Sequence, residues 1–379
     1  MIALEIYLDN AATTRVCPEA AEAAMNAMVN DYGNPSSTHA KGRAAMKLVH
    51  NARKQVAAAL GCESWELAFT SCGSESDNWA LWSGAQYVSR KGGHVISSTV
   101  EHDAIRHALD ELERRGYEVT RLTPGESGAV TPEQVRDALR EDTIMVSLML
   151  VNNETGAVTD IAAISRLLKK ANPGALMHTD AVQGFLKVPF TAKSLGADLI
   201  SISGHKIHAP KGIGALYIRK GVRLKPLIVG GAQEDGRRAG TENVPYICAF
   251  GEAVRIGHEH AALYQEQMRT LREETAARLE RENPGLITIG GGAPHILSIS
   301  LPGYRSEVLM NFLEARGIYV SRSSACKRGA RSHVLEAMGL DSRVIDGAIR
   351  IGLSRYTTAE ELDEFCRAIN DARTTLSHS

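Results

Sequence analysis

The sequence predicts an α/β fold: a mainly parallel seven-stranded sheet with helices on both faces, joined to a smaller α+β domain. Two observations carry that expectation. Short, near-continuous apolar runs at residues 67–70, 94–98, 117–122, 143–151, 175–179, 199–203 and 213–218 have the length and composition of buried strands. Helical stretches at 74–90, 103–115, 132–140 and 161–170 separate several of them, and that alternation favours parallel pairing. With 379 residues the chain is long enough for two domains and a substantial core.

Taken in order, the opening YLDNAATTRVCPEA is strand-like until Asp9-Asn10 and then Pro18 interrupt it. An Ala-rich amphipathic helix over 18–30 follows, with Pro18 where helices tolerate it. Gly33-Asn34-Pro35-Ser36-Ser37 reads as a loop, either a plain connector or a lining for a site. Residues 38–60 read as a helix stopped by Gly61. Beyond the alternating region, 245–282 is helical and reads as the connector to a second domain, broken near Gly257 and ended by Asn283-Pro284-Gly285. The remainder mixes short strands at 295–301, 317–321 and 348–353 with amphipathic helices.

Composition narrows the function classes. A net charge of −1 offers no general field for nucleic acid or an acidic membrane. No apolar run approaches the roughly 20 residues that a bilayer requires, and the N-terminus lacks the pattern of a secretory signal. Six scattered cysteines without CxxC pairs argue against a disulfide framework or a zinc site, and imply a reducing, cytoplasmic setting with no metal centre.

Four constellations carry chemistry, and those in the alternating region sit just after strands, where open α/β sheets collect ligands. Lys206, in DLISISGHKIHAPKGIGALYI, ends a buried strand; held in a polar pocket, such a lysine can lose its proton and attack an aldehyde. Taken singly it could be a surface residue. Thr70-Ser71-Cys72-Gly73-Ser74 precedes a helix whose first N–H groups suit a phosphate, or simply caps it. Asp180, in HTDAVQ, suits the acid that holds a pyridinium nitrogen protonated, or the cap of the next helix. With Ser203 and His205 as phosphate donors, the set specifies pyridoxal phosphate. Cys326 lies in SRSSACKRGAR, where Lys327, Arg328 and Arg331 favour its thiolate; a half-buried cysteine beside a solvated basic run is the bland alternative.

The motifs YLDNAATT, FTSCGSESDN, VEHDAI, VNNETGAV, HTDAVQG, SISGHKIHAPKGIGALY, GRRAGTEN, SSAC and IRIGLSRYTT resemble those of the NifS/IscS-type cysteine desulfurases over nearly the whole chain. The resemblance implies a pyridoxal-phosphate-dependent transferase of fold type I. Residues 15–257 would form the large domain, and 1–14 with 258–379 the small one carrying the Cys326 loop. It implies Lys206 as the Schiff-base lysine and proton-transfer base, and His102 as the group stacked on the pyridine ring. Asp180 would pair with the ring nitrogen, with Gln183 and Asn153 on the ring-hydroxyl side. Gly73, Ser74, Ser203 and His205 would hold the phosphate, joined by Thr241 from the other subunit of a homodimer. Arg355 would clamp the substrate carboxylate, assisted by Asn34.

By the same resemblance L-cysteine is the substrate, L-alanine the product, and a Cys326 persulfide the form in which sulfur reaches a protein acceptor for iron–sulfur clusters, tRNA thiolation or cofactor synthesis. A selenocysteine lyase, or another fold-type I aminotransferase or lyase with Cys326 incidental, is the alternative. The chain departs from the family pattern in a short basic loop after SSAC, in Cys72 for Gly and in Asp77 for the first Asn of SNN. Neither Cys72 nor Asp77 is expected to touch the chemical core.

Overall fold

A computed structural model describes residues 5–322 and 331–376. Thirteen strands occur among the described residues: β1 (Ile6–Tyr7), β2 (Leu67–Thr70), β3 (His94–Ser98), β4 (Glu118–Leu122), β5 (Thr143–Ser147), β6 (Leu176–Asp180), β7 (Leu199–Ser203), β8 (Gly214–Ile218), β9 (Ile287–Ile289), β10 (Ile296–Ser300), β11 (Ile318–Tyr319), β12 (Ser321–Arg322) and β13 (Ala348–Gly352). Seven of them form one sheet in the order β2-β8-β7-β6-β5-β3-β4. From β7 to β4 every pairing is parallel, and β8 alone runs the other way, against both β7 and β2. The mainly parallel seven-stranded sheet is therefore as expected. Apolar side chains fill two layers, one against each face, because strands buried on both sides have no polar face to offer.

The apolar run at 143–151 contains less strand than its composition suggests. The β5 ladder stops at Ser147, although Leu148 and Leu150 still donate their N–H groups to the carbonyls of His178 and Asp180 at 3.2 and 2.9 Å. Burial without regular pairing leaves the same sequence signature as a longer strand.

A second, four-stranded antiparallel sheet has the order β12-β13-β10-β9, and β1 pairs with β11 in parallel beside it. Ile6 and Leu8 share its apolar cluster with Leu279, Ile299, Ile351 and Phe365, so the N-terminal arm packs with the C-terminal region. The helical connector is broken as expected, but at His260, between helices Val244–Glu259 and Ala261–Glu282. Gly257 stays helical. A Cβ there would come within 2.8 Å of Leu186 Cδ1, so this glycine serves close packing and not a break. No described helix is long and apolar enough to cross a membrane.

Candidate active site

The end of β7 builds the centre of the site. Ser203 leads into a single helical turn, Gly204–Lys206, and the Gly204 N–H bonds back to the Ile213 carbonyl at 2.9 Å. That turn delivers the Lys206 ammonium to the N-terminal arm, where it donates to the carbonyls of Ala11 and Ala12 at 2.8 and 2.6 Å. Burial, reinforced by the nearby Arg350 charge, pushes Lys206 down to about 8, while Asp9 and Asp180 pull the other way. Its free amine is thus accessible at mildly alkaline pH.

Lys206 lies on the wall of a cavity of about 370 Å³ that also reaches Gly73, Ser74, His102, Asn153, Asp180, Gln183, Ser203 and His205. Every cofactor-binding residue expected from sequence is there except Thr241. One end suits an anion. Helix Gly73–Val88 starts without a side-chain cap, so its first N–H groups remain available, and the buried Ser203 hydroxyl has no partner. A Cβ on Gly73 would come within 2.8 Å of Val182 Cγ2, so glycine keeps this approach open.

The opposite end suits a protonated ring nitrogen. Asp180 accepts from the Val182 N–H at 2.9 Å, and burial holds its carboxyl above the ordinary range. A cation bound beside it would offset that cost. Behind Asp180, His178 is clasped between the hydroxyls of Ser147 and Ser201 at 2.8 and 3.0 Å. Burial pushes His178 down to about 3, so it is neutral. Asp77, expected to stand clear of the chemistry, instead lines the same cavity and is fully buried. Its pKa is raised well above the usual value by burial and then by the Asp180 charge. With His178 neutral, the 3.7 Å approach of Asp77 Oδ1 to His178 Nε2 is not an ion pair. Cys72 also lines the cavity, at its anion end.

His102 caps helix Asp103–Arg114, its Nδ1 accepting from the Ala104 N–H at 3.1 Å, so a neutral ring carries its proton on Nε2. Gln183 bridges the Ala11 carbonyl and His295 Nε2 at 2.8 and 3.2 Å. Arg350, in the middle of β13 and unassigned from sequence, lines the cavity and bonds the Asn153 carbonyl and Asp9 at 2.7 and 3.1 Å. A lone arginine within an apolar strand was the available signal.

A second, smaller cavity of about 40 Å³ shares Lys206 with the first and reaches Arg355, Lys187, His208 and Tyr264. Arg355 thus lines a cavity that Lys206 also lines. Asn34 does not: it is exposed in its loop, its side-chain oxygen accepting from the Ser36 N–H at 2.9 Å. Thr241 lies in a separate pocket with Thr70, Ser71 and Arg238. Cys326, with Lys327 and Arg328, falls outside the described residues. Arg331, counted among the cations that would activate it, is paired with Asp346 at 2.9 and 3.0 Å, which compensates its charge.

An amine freed by burial, an anion cradle and a buried acid, all on one wall, fit pyridoxal phosphate. The Aminotransferase class-V family matches residues 6–365. Cysteine desulfurase IscS of Methanosarcina thermophila is 41% identical, over 96% of this chain and 91% of its own. A solved NifS-like protein superposes with a TM-score of 0.93 at 38% identity, covering 98% of this chain and 100% of that one. SspA, solved in complex with cysteine, has a TM-score of 0.81 at 31% identity, over 93% and 99% of the two chains. The chain belongs to the class-V aminotransferase family and, within it, to the pyridoxal-phosphate-dependent cysteine desulfurases of the NifS/IscS type.

Proposed function

We propose that this cysteine desulfurase moves sulfur from L-cysteine to the Cys326 thiol, with Lys206 as the amine that transfers protons at the substrate. The observation that carries the reading is the position of Lys206 on the wall common to the cofactor-sized cavity and the small cationic one. Bound pyridoxal phosphate supplies an electron sink for the charge left at the substrate's α-carbon. Asp180 would hold a proton on the cofactor's nitrogen, His102 would contact its ring, and Gly73, Ser74, Ser203 and His205 would bind its phosphate. Asn153 and Gln183 would help to orient it. Arg355 binds the substrate carboxylate as a planar fork, with Asn34 assisting once substrate is present. The neutral amine of Lys206 takes the α-proton and returns a proton as the product forms. The cysteine carbon–sulfur bond breaks as a sulfur–sulfur bond forms at Cys326, so L-cysteine and a thiol become L-alanine and a persulfide. A protein acceptor then takes the outer sulfur.

The working unit in this reading is a homodimer in which Thr241 completes the partner's phosphate site. Its support is the exposure of Thr241 outside its own cavity, and the exposed apolar side chains of Met25, Met28, Val29 and Val229. Residues 15–257 bind cofactor and 1–14 with 258–379 carry the Cys326 loop, a division supported by the separate apolar clusters. The five described cysteines are free thiols, which suits a reducing cytoplasmic setting.

Single-turnover mixing with L-cysteine, without reductant, tests the reading. Stoichiometric alanine and one added sulfur on the Cys326 peptide are expected. A Cys326→Ser protein that forms persulfide elsewhere at the same rate would refute the role of Cys326. A cofactor-loaded protein that releases no alanine would refute the activity.

A further inference from the structure

The small cavity beside Lys206 holds an unusual excess of positive charge. Lys187 is 6% exposed, and its ammonium nitrogen is wholly buried without a hydrogen-bond partner. Arg355 faces the same cavity. Its guanidinium lies 5.4 and 5.0 Å from the ring centres of Tyr264 and Tyr356, and its Nη2 donates to the Tyr356 hydroxyl at 3.1 Å. Its Nε is buried and unsatisfied. Among the described residues no carboxylate forms an ion pair with either cation; the other titratable groups nearby are the cationic Lys206 and Arg350, the histidines His205, His208 and His295 that burial keeps neutral, and the Cys17 thiol. A buried amine with no partner is costly unless something brings it an anion.

The cavity, about 40 Å³, is a few times the roughly 10–15 Å³ that one water needs, room for a small polar group such as a carboxylate. It opens onto Lys206, so an amino acid whose nitrogen reacts where the Lys206 amine stands presents its carboxylate here. We propose that Lys187 is a second substrate-binding residue, its ammonium and the Arg355 guanidinium together seating the α-carboxylate of the amino acid. The proposal rests on the assignment of Arg355 as carboxylate clamp and adds to it. Arg355 supplies a planar fork; Lys187 supplies a point charge buried from water.

Seating a carboxylate also fixes a proton. Burial pushes Lys187 down to about 7. At pH 8 it is mostly neutral, and an arriving carboxylate draws a proton onto it. Well below pH 7 the proton is already present and none is taken up.

The test is calorimetric titration of the holoenzyme with propionate, a carboxylate that has no amine to react with the cofactor, in buffers of different ionisation enthalpy. Proton uptake at pH 8 that disappears near pH 6 is expected. Lys187→Met should abolish the uptake and weaken propionate roughly tenfold to a hundredfold, the range for a hydrogen bond to a charged group. The same variant should raise KM for L-cysteine by a similar factor while kcat moves little, with cofactor content unchanged and a melting temperature equal to or above the parent's. Arg355→Gln, run in parallel, separates the two readings. Full propionate affinity in Lys187→Met, with affinity lost in Arg355→Gln, overturns the role of Lys187 and leaves the clamp standing. Full affinity in both overturns both. A parent enzyme that binds propionate at pH 8 without taking up protons overturns the proposal whatever the variants do.

Discussion

Glu101 immediately precedes His102 and lies close enough to two buried acids of the site for charge to be felt: its own raises Asp77, and that of Asp180 raises Glu101. Its Oε1 accepts from the Ser98 hydroxyl and the Met149 N–H at 2.6 and 3.2 Å, while Oε2 is buried with no partner. Burial is the largest influence and pushes the carboxyl up from 4.5 to about 8, with the Asp180 charge adding to it. The linkage follows from that direction. Below pH 4.5 Glu101 is protonated whether the chain is folded or not, and its protonation gives no pH dependence. Between 4.5 and about 8 the unfolded chain releases the proton and the folded chain retains it, so stability falls as pH rises. At 1.36 kcal/mol for each pH unit, the ceiling is roughly 5 kcal/mol, reached above pH 8. Glu101→Gln keeps the acceptor for Ser98 and Met149 but cannot ionise. The absolute stability of the variant depends on how its amide packs; the slope does not. The melting-temperature difference, variant minus parent, is expected to climb between about pH 5 and pH 8 and then level off, by up to ~10 °C on the usual scale for a unit of this size. A flat difference would show that Glu101 ionises alike in the folded and unfolded chain, and would refute the claim that burial holds its proton on.

Two further substitutions probe the same architecture. Burial holds the proton on Asp77 more tightly than usual, so its near-isostere in Asp77→Asn should keep cofactor absorbance and activity at pH 7 within about threefold, under ~1 kcal/mol; a far larger loss would mean that the site needs an ionised Asp77. Gly257→Ala places a methyl within 2.8 Å of Leu186 Cδ1, and should lower stability by about 1–3 kcal/mol in thermal unfolding. An unchanged melting temperature there would show that the connector helix can shift at no cost.

Much of the large sheet was legible because its strands are apolar on both faces, and the groups of the cofactor cavity because each follows a strand end or opens a helix. Lys206, Asp180 and Gly73 stand at such points, where backbone geometry makes side chains and N–H groups converge whatever the distant packing. The connector was legible as a helix pair, with its break read near Gly257 and found at His260. Glycine at 257 signals an interruption locally, yet here it is the residue that lets Leu186 pack, a fact belonging to another element.

The same separation explains the charged residues that sequence passed over. Asp77, Lys187 and Arg350 each sit inside or just beyond an apolar segment, where a single polar residue most often faces solvent. Their burial arises only when distant elements close over them: β13 brings Arg350 to Asp9 and Asn153, and the helix around Gly257 covers the segment that carries Lys187. Arg331 shows the reverse case. Its place beside Cys326 in sequence suggested an activating charge, but Asp346, fifteen residues on, takes that charge up. Local spacing thus located groups that line the cavity, whereas the charges around them were set by tertiary partners. The electrostatics of this site are a property of the fold: burial raises the carboxyls of Asp77, Glu101 and Asp180 and lowers the ammonium groups of Lys206 and Lys187, so packing between distant elements sets where their protons lie.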